Sequence, residues 1–497
     1  MEMPLTPSKA ATGVPGLDEI LSGGFTRGAL FLVEGTPGAG KTTLALRFLM
    51  EGAAEGERTL YITLSETRDE LLRGAASHGW TLDSSIEIFE LQSPESVVNA
   101  DQHQSLLYSS DLELGETVKL IFEAVDRLQP ERIVLDSLSE IRLLAQNSLR
   151  YRRQLLVLKH YFARRNSTVV AIDDLTADAA DKTAHSIAHG VVRLEELIPT
   201  YGSERRRLRV MKYRGQPFLG GFHDFKIRTG GLEVFPRIVA KEHRTDSPIT
   251  MFSSGVAELD ALLGGGIETG SSTLVLGPAG SGKSTIAFQF AAAAIERGEK
   301  AALFVFDEEL GLLFRRTKKM GIDLEAFHKE GKLIVEQVYA AELSPGEFSH
   351  RVRQLVQDHS VRNVIIDSLN GYQQAMPEEQ SLILHMHELL QSLNRLGIAT
   401  FLTVAQHGFF GDMKTPVDVT YLADTVILLR FFEASGRVRR AISVIKKRTG
   451  AHEDTIREFK ISSGGLSVGA PLHHFHGVLR GTPIYTGKTI PPEEKGF

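Results

Sequence analysis

Gly35-Thr-Pro-Gly-Ala-Gly-Lys-Thr42 and, 242 positions later, Gly277-Pro-Ala-Gly-Ser-Gly-Lys-Ser284 are two copies of one pattern, G-x-x-x-x-G-K-[ST]. Each follows an apolar run (Leu30-Phe-Leu-Val33; Thr273-Leu-Val-Leu276) and opens a helical stretch. Strand, glycine loop and helix in that order make a phosphate-binding loop. The glycines let main-chain N–H groups converge on phosphate oxygens, and the helix start adds positive partial charge. The first loop offers Gly35, Thr36, Gly38, Ala39, Gly40 and Thr43 to ATP; the second offers Gly277, Gly280, Ser281, Gly282 and Thr285. Lys41 and Lys283 reach toward the terminal phosphates, and Thr42 and Ser284 present hydroxyls to Mg²⁺. Two such loops predict two nucleotide sites.

The repetition extends well past the loops. Thr12-Gly-Val-Pro-Gly-Leu-Asp18 matches Ser254-Gly-Val-Ala-Glu-Leu-Asp260, and Arg132-Ile-Val-Leu-Asp-Ser-Leu138 matches Asn363-Val-Ile-Ile-Asp-Ser-Leu369. Lys212-Tyr-Arg214 matches Lys446-Lys-Arg448. A period this long, with small drifts, signals two fused homologous domains and not a solenoid. The expected division is 1–240, 241–470 and a His-, Gly- and Pro-rich C-terminal tail over 471–497, expected to lack fixed structure in part. Short continuous apolar runs alternate with helical segments, which predicts α/β domains with mostly parallel sheets flanked by helices. Ligands on such sheets sit at the carboxyl ends of the strands.

Three further elements carry chemistry. Asp136 and Asp367 each end an apolar strand, where a carboxylate can hold the Mg²⁺ shell or simply cap a turn. Glu66 in the first repeat, and Asp307 with Glu308 in the second, follow the strand after the loop helix. Carboxylates there can act as catalytic bases, or can be solvated acids at a helix start. Lys212 with Arg214, and Lys446 with Arg448, share a strand face. Such cations can reach a neighbouring chain's γ-phosphate, or can guard an exposed strand edge.

Composition bounds the rest. The 497 residues carry a net charge of −6, 42% hydrophobic residues and no cysteine. Disulfides, thiolate metal sites and cysteine nucleophiles are excluded. Net acidity argues against a nucleic-acid partner. No run approaches the length of a membrane span, and the N-terminus lacks a signal-peptide core, so a cytoplasmic protein is expected.

Taken together, the SGV/TGV-x-x-LD openings, the two loops, the acids, the IDS/LDS strand ends and the K-x-R closings resemble the KaiC family of RecA-like ATPases over about residues 10–482. The resemblance implies two tandem RecA-like P-loop NTPase domains in a double-ring homohexamer, with ATP at subunit interfaces. It implies slow hydrolysis, mainly in the first ring, and in some members Ser/Thr autophosphorylation in the second. It places Ser77 beside the first nucleotide, with Lys212, Tyr213 and Arg214 arriving from the adjacent subunit. In the second ring it places Met320 where the clock protein has an adenine-stacking Trp. Arg440, Lys446, Lys447, Arg448 and His452 would approach from next door. The clock protein has paired Glu residues where this chain has Ser65-Glu66 and Asp307-Glu308, which puts the base role of the first ring on Glu66. Its phosphorylated Ser-Thr pair corresponds to Thr420-Tyr421.

Two other readings share the core fold. One is a DNA-handling ATPase, which has only the two Phe and one Lys of the loop after Val404 in its favour. The other is a regulatory module that uses ATP only to assemble, motivated by the missing second Glu in the first repeat.

Overall fold

A computed structural model of the chain describes residues 8–82, 84–91, 106–175, 182–198, 202–239, 250–306, 308–339, 341–374, 379–406, 420–480 and 483–487. The chain divides into two compact units, Met1–Arg237 and Ile238–Phe497.

The first unit is built on a nine-stranded sheet. From one edge, the strands are Gly231–Phe235, His223–Arg228, Arg205–Tyr213, Gly190–Leu197, Leu30–Gly35, Thr168–Asp173, Arg132–Asp136, Thr59–Thr63 and Ile86–Glu90. Pairings from Gly190–Leu197 to Ile86–Glu90 are parallel, and those at the other edge are antiparallel. The second unit repeats this order with Ser272–Gly277 in the place of Leu30–Gly35. Its parallel strands run from Leu333–Gln337 to Thr425–Ala434, and three antiparallel pairings follow.

The burial follows the sequence pattern. All six residues of Leu30–Gly35 and of Ser272–Gly277 are buried, as strands covered on both faces must be. Alternate side chains go to opposite faces. Phe31 and Val33 pack with Leu44, Phe48 and Leu49 of the loop helix Lys41–Ala54. Leu30 and Leu32 pack with Val118, Ile121 and Val125 of the helix Leu106–Leu128, and with Leu155, Leu158 and Phe162 of the helix Ser148–Arg164. Helix starts are capped by short polar side chains: Thr67 forms a capping box with Glu70, and Asn147 and Ser344 accept from main-chain N–H groups.

A charged side chain near the first site lies wholly inside. Arg132, at the start of the strand that ends in Asp136, is fully buried. Its guanidinium donates to Glu57 and Glu55, both at 2.6 Å, and to the Phe48 and Ala11 carbonyls.

The described part of the stretch after Pro471 is packed. Phe475 and His476 pair with Tyr485 and Ile484, and Val478 is buried against Phe432, Ala434 and Ala441. A few apolar residues hidden in a Gly/His-rich composition suffice to dock it. Among the described residues, no helix is long and apolar enough to cross a membrane.

Candidate functional site

Both glycine loops lie at the carboxyl end of a central strand. Gly40 and Gly282 sit at φ 97° and 104°, directly before the helices Lys41–Ala54 and Lys283–Glu296, and no side chain caps either helix. A Cβ at either glycine would come within 2.7 Å of an isoleucine, Ile227 or Ile461. Glycine is therefore required for both conformation and space. The loops leave helix N–H groups for an anion.

The two lysines are buried and turned inward. Lys41 Nζ donates to the Gly35 and Thr36 carbonyls at 3.0 and 2.9 Å and pairs with Asp174 at 2.8 Å. Lys283 Nζ donates to the Pro278 carbonyl at 2.9 Å. Burial pushes the Lys283 ammonium below its usual value, against the opposing pull of Asp367.

The strand-end acids sit beside the loop hydroxyls, with different supports. Tyr61 Oη donates to Asp136 at 2.5 Å, and Thr42 in turn acts on the Tyr61 hydroxyl as a hydrogen-bond partner. Thr403 donates to Asp367 at 2.5 Å, and Ser284 acts on Asp367 directly. Burial raises Asp136 to about 6, with the Tyr61 hydrogen bond opposing it, and burial raises Asp367 as well. Burial and the adjacent Asp136 charge push the Tyr61 phenol well above its ordinary value, so it remains a donor. The Asp136–Ser137 and Asp367–Ser368 peptides are both cis.

Mg²⁺ suits these donors. Each site offers one hydroxyl and one strand-end carboxylate, and no cluster of three or more His, Cys, Asp or Glu exists among the described residues. An ion that keeps its waters and takes the remaining ligands from phosphate oxygens fits such a sparse set.

The candidate bases part company. Glu66 is half-buried; desolvation, then the charges of Glu70 and Asp174, raise it above the usual carboxylate value. Glu308 is held by Arg316 through two contacts, 3.0 and 2.7 Å. Asp307 lies outside the described residues. Around the second loop, a cavity of 440 Å³ is lined by Gly280, Gly282, Lys283, Ser284, Thr285, Arg316, Met320, Arg440 and Ile461. A larger groove of 720 Å³ along the helix Ser148–Arg164 contains none of the loop residues.

Several of the expected residues are engaged within their own chain. Arg440, expected from a neighbouring subunit, donates to the Gly280 carbonyl of its own chain at 3.4 Å. It leaves the strand Arg437–Lys447 on the side facing its own loop. The Tyr213 side chain belongs to the core, its hydroxyl donating to the Gly24 carbonyl. Lys447 is likewise withdrawn, paired with Glu268 at 3.2 Å and donating to the Leu263 and Gly266 carbonyls. The alternation of a strand turns Tyr213 and Lys447 inward while their neighbours face out. The Ser77 hydroxyl donates back to Gly74 of its own helix. His452 lies in the connection after the strand Arg437–Lys447.

The flanking cations share one arrangement. Lys212 Nζ donates to the His185 and Ala188 carbonyls, and Arg214 to Ser186 O. Lys446 Nζ donates to the Thr420 and Ala423 carbonyls, and Arg448 to Tyr421 O. Thr420 and Tyr421 form a short 3₁₀ turn, Thr420–Leu422, directly beneath these cations.

Five contributors escaped the reading of the sequence. Asp174, Tyr61, Thr403 and Arg316 reach the site from separate strands and helices. His78 could have been found: the 242 offset maps it onto Met320. His78 Nε2 lies 3.2 Å from Thr43 Oγ1, and Met320 Sδ lies 3.8 Å from Thr285 Oγ1, the same relation in both repeats.

Comparison with known proteins agrees with this geometry. A family model described as the ATPase KaiC matches residues 10–238 and again 252–473. The chain is 29% identical to the circadian clock protein KaiC3 of Synechocystis sp. (strain ATCC 27184 / PCC 6803 / Kazusa), covering 97% of this chain and 95% of that one. It is 27% identical to the circadian clock oscillator protein KaiC of Parathermosynechococcus lividus, covering 96% and 88%. With the KaiC of Acaryochloris marina the identity is 26%, over 96% and 91%.

Proposed function

The chain belongs to the KaiC family of ATPases, and on that premise we propose that it binds Mg²⁺-ATP at both repeats, at seams between like chains of a double-ring homohexamer. The first ring hydrolyses ATP slowly, and the assembly acts as a timing or signalling module. The metal, once bound, neutralises charge developing on the transferred phosphate. The remaining work falls to this chain. Lys41 exchanges its Asp174 partner for phosphate oxygens, and Glu66 orients a water and accepts its proton. Lys212 and Arg214 of one copy give up their own carbonyls for the next copy's γ-phosphate.

The observation that carries this reading is the double coincidence of loop, hydroxyl and strand-end acid. Each repeat brings the three together, and each holds a Lys/Arg pair whose hydrogen bonds include main-chain carbonyls of a short helical segment. Steady-state hydrolysis by wild type, Lys41→Ala and Lys283→Ala tests it. Lys41→Ala is expected to remove most turnover; turnover equal to wild type would leave ATP as an assembly ligand alone.

A second reading concerns the second ring. Lys446 holds the Thr420 carbonyl at 2.9 Å, so Thr420 stands beside the cation that would meet a neighbour's γ-phosphate. That placement supports Thr420 as an autophosphorylation acceptor. The exposed Tyr421 phenol is the alternative acceptor, longer and on the next residue.

A further inference from the structure

The two repeats support the metal-binding hydroxyl in different ways. A hydroxyl that ligates a cation must aim a lone pair at it, so its proton needs another acceptor. In the second repeat that acceptor is the strand-end carboxyl itself, because Ser284 acts directly on Asp367. In the first repeat a third side chain stands between. Tyr61 is fully buried on the strand Thr59–Thr63, it donates to Asp136 at 2.5 Å, and Thr42 acts on its oxygen. The 242 offset puts Leu303 at the Tyr61 position of the second repeat, which has no hydroxyl to interpose.

We infer that Tyr61 is a positioning residue for the first repeat's Mg²⁺, relaying the pull of Asp136 to the Thr42 hydroxyl through two consecutive hydrogen bonds. The inference rests on the reading of this loop as a Mg²⁺-ATP site. Thr42 donates to the Tyr61 oxygen, and Tyr61 donates to Asp136, so each bond polarises the next. The Thr42 lone pair is thereby fixed toward the metal. In the first repeat the link from Thr42 to Asp136 thus runs through one phenol oxygen.

The test is equilibrium ATP binding to the full chain carrying Lys283→Ala, which confines binding to the first repeat. Affinity is measured in EDTA and across a Mg²⁺ titration, with and without Tyr61→Phe. Tyr61→Leu, which installs the residue type of the second repeat, is the second variant. Outer-shell partners of metal ligands are worth about 10–100-fold in metal affinity. Both variants are expected to lose about that much of the enhancement by Mg²⁺ while their affinity in EDTA stays at the parent value. An unchanged Mg²⁺ enhancement would overturn the relay alone. So would an affinity loss of equal size in EDTA, which would mark Tyr61 as packing for the nucleotide pocket. Absence of ATP binding in the Lys283→Ala parent would remove the site itself and the relay with it.

Discussion

Arg316 grips the Glu308 carboxylate with two of its nitrogens, at 3.0 and 2.7 Å, and the equivalent of Arg316 in the first repeat is Gly74. The same acid position is therefore clamped in one repeat and has no counterpart to that ion pair in the other among the described residues. A carboxylate held by both nitrogens of a guanidinium must leave that pair before it can reach a water. On the proposed function, the difference is expected to favour hydrolysis at the first site.

Gly74→Arg should transfer the clamp. A Cβ at Gly74 meets no atom within 4 Å, and the eight-residue spacing to Glu66 equals that from Arg316 to Glu308. Replacing a helical glycine also favours the helix by about 1 kcal/mol. In a Lys283→Ala background, kcat is expected to fall about a hundredfold, the order contributed by a positioned base. KM should hold, and thermal stability should not fall. An unaltered kcat would separate Glu66 from the chemistry.

The pH dependence of the first site follows from Glu66. The carboxylate acts only when deprotonated, and burial, then Glu70 and Asp174, raise it above the ordinary value. Turnover is lost as pH falls through this raised value, so the acid limb lies above that of an unperturbed glutamate. Glu70→Gln removes the second of those causes and keeps an acceptor for the Thr67 capping box. The acid limb of kcat should move to lower pH in that variant. A limb that stays in place, or moves up, would contradict the assignment.

Arg132 anchors the strand that delivers Asp136. Arg132→Ala would leave Glu57 and Glu55 to Arg27 alone, and breaking a buried pair costs about 3–5 kcal/mol. The loss should sit at the low end because Glu55 is 40% exposed. Burial pushes Glu57 up, but the Arg27 and Arg132 hydrogen bonds outweigh it and leave it below its usual value. The stability this contributes is present at neutral pH and is lost as pH falls through that lowered value. Denaturant melts of the first repeat should show the variant losing part of its acid-side dependence as well as its stability.

Phosphorylation in the second repeat is read by incubation with γ-labelled ATP followed by peptide mapping. Label is expected at Thr420 and absent from Lys283→Ala. Label at neither Thr420 nor Tyr421 would remove the kinase reading while leaving hydrolysis in the first repeat intact.

Local patterns were legible in the sequence because local physics makes them. The glycine loops need Gly40 and Gly282 at positive φ, and the strands ending in Asp136 and Asp367 are buried on both faces, so both announce themselves in one dimension. The tandem organisation followed from the 242-residue offset. Contacts made across the sheet left no such trace. Asp174, just after a strand, reaches Lys41, and Tyr61 and Thr403, on strands, reach Asp136 and Asp367. The own-chain contact of Arg440 with Gly280 left no trace, because strand alternation gives a face but not what that face meets. His78 was within reach, since the offset that exposed the duplication also maps it onto Met320.

The central claim is that one copy cradles the nucleotide while the next supplies the cations. Native mass measured with and without Mg²⁺-ATP addresses it most directly. Wild type is expected to shift to six copies when ATP is added, and Lys212→Ala with Arg214→Ala in the first repeat should weaken that shift without touching the loop that binds phosphate. A single chain that binds ATP at full affinity, with no change of mass, would contradict it.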